Sequence, residues 1–335
     1  MKVLITGGAG FIGSTIASAC LDAGHLPIVL DDLSTGVEAF VRGRIFYHGD
    51  IADARLLDGI FLAHPDIDAV IHCASHIVVP DSVADPLRYY RNNVCKTIDL
   101  VEHLDRVGCR RLIFSSSASM YAVSDDFIVD EGSPLDPQSP YARSKAMVEQ
   151  ILADAARAGL IDVVSLRYFN PVGADPALRS GQQLARPTHA LGKLLAAYED
   201  QTTFTVTGAD WPTRDGSAIR DYVHVWDVAR AHVRALEVFD RIAASSGGFG
   251  VVNVGTGRGT TVRELVKFFE EATGTRLAVM DGPRRPGDVV GAYARVDKAR
   301  TLFGWSSHLT IIDAIRDAVA WSAVREDVLR TRGSP

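Results

Sequence analysis

The chain has 335 residues, 47% of them hydrophobic and 23% charged, with a formal net charge of −6. This composition is typical of an ordinary globular protein, and the acidic balance argues against a general binder of nucleic acids or acidic membranes. No uninterrupted apolar run reaches the ~20 residues of a membrane span, and the four cysteines lack metal-site spacing, so we expect no membrane segment, no bound metal and a reducing, cytoplasmic location.

The chain opens with an apolar run at residues 2–6 that predicts a buried parallel strand and lacks the features of a signal peptide. A G-x-x-G-x-x-G turn follows at once and leads into a helical stretch to about Ala23. Glycines at such a strand-to-helix turn permit a tight turn, a close approach of the backbone to a pyrophosphate and close helix packing. The segment therefore predicts a dinucleotide site at Gly7, Gly10 and Gly13.

The next two predicted strands each end in an acidic residue. Asp31 follows the second strand, where a carboxylate can bind the adenosine ribose and repel the 2′-phosphate of NADP, so we favour NAD. Asp32 beside it is interpreted as a loop residue. Asp50 follows the third strand and could meet the adenine; the alternative is a helix N-cap, a position for which Asp53 competes.

The fourth strand, at residues 69–72, runs into small residues that let the backbone approach a cofactor. A long helix is predicted from 86 to about 107, with Asn93 inside its apolar stripe. A buried amide must be hydrogen-bonded, either to the chain near the cofactor loops or within the core, and both interpretations stay open. The small residues after the strand are Cys73, Ala74 and Ser75.

The fifth strand, at residues 111–114, ends in a serine cluster that includes Ser115 and Ser117. Catalytic groups of open α/β folds lie at the carboxyl ends of the strands. The next helix carries Tyr141 and Lys145 four residues apart and therefore on one face. A cation one turn away favours a phenolate, which could take a proton from a substrate hydroxyl; alone, this spacing is more often a surface pair.

Alternating strands and helices behind a glycine turn predict an α/β fold with a doubly wound parallel sheet. We assign it residues 1–170 with return segments at about 219–255, and we assign 171–218 and 256–335 to a smaller α/β substrate domain. In this second part, Arg285 lies in a basic turn of an acidic protein and suits a bidentate phosphate contact. A plain surface turn is the open alternative.

Taken together, these motifs make the chain resemble the extended short-chain dehydrogenases/reductases, and most of all the UDP-glucose (UDP-galactose) 4-epimerases. The resemblance implies a Rossmann fold, a tightly held NAD, isomerisation through a transient 4-keto sugar, and a homodimer paired through helices at about 86–107 and 140–158. The motifs run in order over nearly the whole chain: TGGAGFIG (6–13), DI (50–51), PLRYYRNNV (86–94), SSSASMY (115–121), SPYARSKAMVEQIL (139–152), RYFNPVGA (167–174), RDYVHV (220–225) and RRPGD (284–288).

The resemblance also implies roles for individual residues. Tyr141 would be the base, Ser117 would hydrogen-bond the sugar 4-hydroxyl, and Lys145 would hold the nicotinamide ribose. The implied NAD contacts are Gly7, Gly10, Phe11, Ile12, Gly13, Asp31, Asp50, Ile51, Cys73, Ala74, Ser75, Asn93, Ser115, Tyr141, Lys145 and Tyr168. The implied nucleotide-sugar contacts are Ser117, Tyr141, Asn170, Arg220, Arg285, Asp288 and Ala292.

The choice of sugar and nucleotide stays open in the sequence. The resemblance implies that the position that gates N-acetyl sugars in the family corresponds to Ala292, whose small side chain should leave room for a 2-acetamido group. UDP-GlcNAc and UDP-GalNAc are therefore candidate substrates beside the plain hexoses. Departures from the family pattern leave uridine or thymidine as the base; they are Ile77, Thr188, His189 and Thr207.

Other functions of the same fold are weighed against epimerisation. A 4,6-dehydratase would need an Asp-Glu pair where residues 118–120 are Ala-Ser-Met. A one-way ketoreductase would consume NADH steadily. A non-catalytic, NAD-sensing regulator would have no use for Ser117, Tyr141 and Lys145 together.

Overall fold

A computed structural model describes residues 1–284 and 289–330. Within these residues, seven parallel strands form one sheet in the order β12-β7-β5-β4-β1-β2-β3. Its strands are β1 (Lys2–Thr6), β2 (Leu26–Asp31), β3 (Ile45–His48), β4 (Ile67–His72), β5 (Arg111–Ser117), β7 (Asp162–Tyr168) and β12 (Phe249–Val254). The shorter strands are β6 (Ile128–Val129), β8 (Asn170–Val172), β9 (Phe204–Thr207), β10 (Ile219–Arg220), β11 (Tyr222–His224), β13 (Thr260–Thr261), β14 (Val279–Gly282) and β15 (Tyr293–Ala294).

Helices cover both faces of the large sheet. The α-helices are α1 (Phe11–Asp22), α2 (Ala54–Ala63), α3 (Val79–Ala84), α4 (Pro86–Tyr90), α5 (Lys96–Val107), α6 (Pro140–Arg157), α7 (Ala190–Asp200), α8 (Val225–Glu237), α9 (Phe239–Ser245), α10 (Val262–Thr273), α11 (Asp297–Phe303) and α12 (Ile311–Arg330). Short 3₁₀ turns cover Glu38–Val41 and Ala118–Met120. None of the helices in the described part of the chain is long and apolar enough to cross a membrane.

Two hydrophobic clusters hold the helix layers against the sheet. One face of the sheet packs against α1, α8, α9 and α11, with Ile16 and Val228 at its centre. The other face packs against α2, α5 and α6, through side chains such as Leu100 and Leu152. Because both faces are covered, the central strands are apolar throughout rather than alternating, and the predicted doubly wound parallel sheet is confirmed.

A third cluster forms a smaller body around β9 and β14, which pair in parallel. Helices α7, α10 and α12 bury Leu194, Phe269 and Ile315 against it. The residues of this smaller body all follow β7 in the chain.

The helix predicted over 86–107 differs from a regular α-helix in its middle. Between α4 and α5, residues Arg91–Cys95 form a π-helical turn. Turns of this kind are rare and occur frequently at functional sites. Here the turn carries Asn93, whose side chain is buried.

Helix α6 begins where the sequence places its capping residues. The Ser139 side chain accepts a hydrogen bond from the backbone N–H of Ala142 at 3.1 Å, and Pro140 occupies the first turn. Such a cap stabilises a helix start by about 1 kcal/mol and fixes where Tyr141 lies. Its next turns bury Lys145 and Glu149 on the same face.

Candidate active site

The carboxyl ends of β1, β4, β5 and β7 lie side by side because these strands are neighbours in the sheet. Their ends place the glycine turn, residues 73–75, the serine cluster and Tyr168 along one edge. This is the edge at which open α/β sheets bind ligands.

The glycine turn has the shape that a pyrophosphate needs. Gly7 has φ of +70°, and a Cβ there would lie 2.6 Å from the Ala74 nitrogen, so no other residue fits. A Cβ at Gly13 would lie 2.2 Å from the Gly7 oxygen. At Gly10 a Cβ would meet only ordinary contact with the protein, 3.5 Å from the Gly7 oxygen; this position is open on its outer side.

The helix behind this turn leaves its N-terminal donors available. Gly10 caps α1 without any side-chain hydrogen bond, and the first turn holds no acidic residue. A helix N-terminus of this kind attracts an anion through its free N–H groups and its dipole. The residues at the turn, Phe11 and Ile12 among them, therefore fit a dinucleotide.

The two predicted adenosine contacts differ in their surroundings. The Asp31 carboxylate accepts hydrogen bonds from the backbone N–H groups of Ala9 (2.9 Å) and Leu33 (2.8 Å). Burial raises the pKa of Asp31, and these two bonds oppose the rise. Asp50 is ion-paired to Lys96 at 2.5 Å, a partner that the sequence analysis missed.

Tyr141, Lys145 and Ser117 all lie buried at the carboxyl end of β5. Burial raises the pKa of the Tyr141 phenol above its ordinary value, and hydrogen bonding to Ser117 acts in the opposite direction. The Ser117 hydroxyl is also within 2.9 Å of the Ser119 hydroxyl.

The Lys145 ammonium group is held at the end of β5. It donates to the backbone carbonyl of Ser115 at 2.9 Å and lies 4.7 Å from the centre of the Phe114 ring. Burial lowers the pKa of Lys145 to about 8. The predicted lowering of the phenol pKa by a neighbouring cation stays a prediction.

A buried network behind the nicotinamide end of the site was missed by the sequence analysis. The Ser115 hydroxyl is 3.0 Å from Nε2 of His232 on α8 and 3.0 Å from the Cys73 sulfur. The Tyr168 ring lies 6.2 Å from the His232 ring. No spacing in the sequence connects a helix histidine to a strand more than a hundred residues earlier.

The side-chain amide of Asn93 forms its hydrogen bonds with the chain near the predicted cofactor loop. Its amide accepts from the backbone N–H of His76 (2.8 Å) and donates to the His76 carbonyl (3.0 Å) and to the Ser144 hydroxyl (3.0 Å). The Ser144 hydroxyl in turn donates to the carbonyl of Tyr141 at 2.7 Å. Of the two interpretations, the structure therefore favours a link between the loop after β4 and the start of α6.

A second missed group lies under the serine cluster. Glu149 and Arg167 form a buried ion pair, 2.5 Å at its shortest. Glu149 also accepts hydrogen bonds from the hydroxyls of Ser116 (2.6 Å) and Ser165 (2.7 Å). Glu149 follows Lys145 by four residues, so the spacing that selected Tyr141 and Lys145 could have found it.

Apart from Ser117 and Tyr141, the predicted nucleotide-sugar contacts all follow β7 in the chain. Asn170 begins β8, which pairs with β11, and Ala292 is half-buried just before β15. The Arg220 guanidinium donates to the carbonyls of Ile219 and Val290, each at 2.7 Å. Arg285 and Asp288 lie outside the described residues.

The positions that depart from the family pattern have local roles. The Nδ1 atom of His189 accepts from the Gly192 N–H at 3.1 Å and caps α7. Thr207 ends β9, opposite Gly282 of β14. Ile77 lies exposed on the loop before α3, and Ser75 is half-buried in the same loop.

Ile51 packs its side chain in the core beside α2 and α5.

Comparison with known proteins places this geometry in a family. The model of the NAD dependent epimerase/dehydratase family matches residues 3–255. The UDP-glucose 4-epimerase of Azospirillum brasilense is 40% identical over 100% of this chain and 95% of its own length.

Two solved structures of UDP-glucose 4-epimerases are similar to this chain over nearly its whole length. The UDP-glucose-4-epimerase of Stenotrophomonas maltophila, with bound NAD and formylated UDP-arabinopyranose, has a TM-score of 0.92 at 34% identity and covers 98% of this chain and 99% of its own. The UDP-glucose 4-epimerase of Bifidobacterium longum, in complex with NAD+ and UDP, has a TM-score of 0.89 at 34% identity and covers 98% and 100%.

Proposed function

Since the chain belongs to the NAD-dependent epimerase/dehydratase family, we propose that it interconverts UDP-glucose and UDP-galactose with Tyr141, Lys145 and Ser117 as its catalytic residues. It is an NAD-dependent nucleotide-sugar 4-epimerase, an isomerase of the UDP-glucose type. The observation that carries the residue assignment is the burial of these three side chains at the sheet edge that also holds the glycine turn. We propose the predicted contacts of NAD and of the nucleotide sugar on the same basis.

In the proposed mechanism each of these three residues has a separate role. When bound, NAD+ supplies a reversible hydride acceptor and a positive charge at the nicotinamide, which favours the phenolate of Tyr141. Ser117 hydrogen-bonds the sugar 4-hydroxyl, and Tyr141 takes its proton as the sugar becomes a 4-ketose. Lys145, held by the Ser115 carbonyl, binds the nicotinamide ribose. Once the ketose presents its opposite face, the hydride taken from C4 would return to C4 on that face, which inverts the configuration, and Tyr141 returns the proton to the C4 oxygen.

The direct experiment is to incubate the purified protein with UDP-galactose without added cofactor and to resolve the products by chromatography. We expect UDP-glucose to form with no net accumulation of NADH, because the cofactor is regenerated in every cycle. Turnover that consumes NADH in proportion to product would identify a one-way reductase instead. Bound NAD without conversion of any nucleotide hexose would contradict the proposal.

Ala292 provides a prediction about the sugar. We propose that its small side chain admits a 2-acetamido group, so the protein should also convert UDP-GalNAc. In Ala292→Tyr the added ring should cost about 1–3 kcal/mol for the larger substrate, or about 5- to 150-fold in kcat/KM, and spare UDP-galactose. Ala292→Ser is the matched small control and should keep both activities. Equal losses for both sugars in Ala292→Tyr would refute the specificity role.

We also propose a homodimer and a cytoplasmic location. Helices α3 and α4 pack against α6, and together they expose apolar side chains, among them Val83 (65% exposed) and Leu87 (63%). An exposed apolar patch of this kind is typical of a protein interface. The location is supported by the free thiols of the cysteines, which are Cys20, Cys73, Cys95 and Cys109.

The dimer proposal predicts a change in mass. The double variant Val83→Glu/Leu87→Glu should sediment as a monomer, because burying two carboxylates opposite their copies is strongly unfavourable. Leu62→Glu, on α2 and 84% exposed, is the matched control and should leave the mass unchanged. A parent protein that sediments as a monomer would contradict the proposal.

The division into two domains also stays a proposal. We assign NAD binding to residues 1–170 with 219–255, and nucleotide-sugar binding to 171–218 with 256–335. The division is supported by the hydrophobic clusters, because the third cluster draws most of its residues from the second set.

A further inference from the structure

A fully buried carboxylate, that of Asp221 between β10 and β11, holds two other segments of the chain. Its Oδ1 atom accepts hydrogen bonds from the backbone N–H (2.8 Å) and from the hydroxyl (2.6 Å) of Thr256. Its Oδ2 atom accepts from the backbone N–H groups of Gly257 and Ala294, each at 3.1 Å. The carboxylate therefore joins the loop that follows β12 to strand β15.

The packing around this carboxylate is close. A Cβ at Gly255 would lie 2.6 Å from Oδ2 of Asp221 and 2.8 Å from the Cβ atom of Ala294. Burial raises the pKa of Asp221, and the hydrogen bonds that its carboxylate accepts oppose the rise. The charged carboxylate is therefore stabilised by donors that belong to the segments it holds, so a change at Asp221 must also shift these segments.

The backbone of Asp221 is tied to two of the proposed diphosphate contacts. Arg220 precedes it directly in the chain. The backbone N–H of Asn170 donates to the Asp221 carbonyl at 3.0 Å, at the start of the pairing between β8 and β11. The position of Asp221 therefore determines where the backbone carries both of these side chains.

Ala292, the proposed contact of the sugar, lies between two anchors. Two residues before it, the carbonyl of Val290 accepts from the backbone N–H of Ile219 at 2.9 Å. Two residues after it, the N–H of Ala294 donates to the Asp221 carboxylate. Loss of the second anchor would leave Ala292 fixed on one side only by β10.

We propose that Asp221 is a positioning residue for the nucleotide sugar, which binds tightly only while this carboxylate holds the segments of its contacts together. The inference rests on the contacts proposed above, which are Asn170, Arg220 and Ala292. The proposed catalytic residues belong to β5 and α6 instead. Asp221 should therefore act on binding and not on the chemical step.

Asp221→Asn tests the proposal, because it keeps the shape of the side chain. In either orientation of the amide, its NH2 group faces two donors, so either both Thr256 bonds or those of Gly257 and Ala294 are lost. When UDP is titrated into the holoenzyme by calorimetry, we expect its Kd to rise about five- to twentyfold. The KM for UDP-galactose should rise with it, and kcat should stay within about twofold of the parent value.

Asp227→Ala is the matched control for a loss of stability. Asp227 on α8 is equally buried, and one of its oxygens accepts from the backbone N–H groups of His308 and Leu309, each at 2.8 Å. The substitution also removes two hydrogen bonds of a buried carboxylate, so it should lower the free energy of unfolding and yet leave the Kd of UDP unchanged. A comparable rise in Kd would overturn the inference, because any destabilisation would then have the same effect.

A milder pair of variants decides the question if Asp221→Asn does not fold. Thr256→Val removes the hydroxyl that donates to Asp221, whereas Thr256→Ser keeps it. The Kd of UDP should rise about two- to fivefold in Thr256→Val and stay at the parent value in Thr256→Ser. Equal affinities of these two variants would contradict a role of the carboxylate.

The outcomes separate this inference from the proposed function. Parent affinity for UDP in Asp221→Asn would overturn the role of Asp221 even if epimerisation is confirmed. A fall in kcat at unchanged Kd would overturn it as well, because the residue would then act on the chemical step. A protein that converts no nucleotide hexose, but loses UDP affinity in Asp221→Asn and not in Asp227→Ala, would keep the positioning role and refute the proposed function.

Discussion

Tyr141→Phe is expected to lower kcat for UDP-galactose by about 10²–10⁴-fold, the usual contribution of a positioned general base. The substitution removes the phenol oxygen and keeps the ring, so packing against the sheet edge is preserved. KM should change little, because the phenol oxygen acts mainly on the proton that leaves the 4-hydroxyl. The check is steady-state kinetics together with measurement of bound NAD, which the variant should retain.

Tyr198→Phe is the matched control. Tyr198 packs edge-on against Phe269 in the third hydrophobic cluster, 5.6 Å between ring centres, and has no proposed contact with NAD or sugar. It should leave kcat unchanged. A Tyr141→Phe protein with the parent rate would remove Tyr141 as the base and direct attention to Tyr168.

Arg167→Met should destabilise the protein by about 3–5 kcal/mol, because it leaves the buried carboxylate of Glu149 without its cation. The loss extends beyond one ion pair, since an Arg167 Nη group also donates to the Tyr121 hydroxyl at 3.0 Å. Chemical denaturation gives the free energy of unfolding for parent and variant. The double variant Glu149→Gln/Arg167→Met should recover part of the loss, because no unpaired charge is then buried.

An exposed pair provides the comparison. Arg157 and Asp154 approach to 2.7 Å at the end of α6, with 66% and 58% of their side chains exposed. Arg157→Met should change the free energy of unfolding by less than about 1 kcal/mol. Equal effects of Arg157→Met and Arg167→Met would show that water reaches the Glu149 carboxylate.

The parts of the fold predicted from sequence are those with a short-range signal. The strand at 2–6, the glycine turn and helix α1 lie next to one another in the chain, and their residue types require one geometry. The start of α6 was also predictable from the sequence, because Ser139 and Pro140 are adjacent capping residues. These local patterns were sufficient to predict the doubly wound sheet and its functional edge.

The parts that escaped prediction depend on partners far apart in the chain. His232 meets Ser115 across 117 residues, and Lys96 meets Asp50 across 46. In the sequence each looks like an ordinary polar residue of an amphipathic helix. The acceptor of the Lys145 ammonium group also escaped prediction: shared helix spacing fixes which face a side chain leaves, but the Ser115 carbonyl, which lies on another element, decides where its charge lies.

The π-helical turn at Arg91–Cys95 also alters how the surrounding sequence must be interpreted. Each residue of an α-helix advances by about 100° around the axis, and a single wider turn holds one residue more than the regular count. The faces of α4 and α5 are therefore offset by about that angle, so one helical wheel drawn over 86–107 mixes two separate stripes. The outward stripe carries Leu87 and the inward one Leu100. An insertion or deletion of one residue here would rotate these stripes relative to each other. The surface proposed for the dimer and the buried Asn93 side chain would then no longer both keep their present contacts.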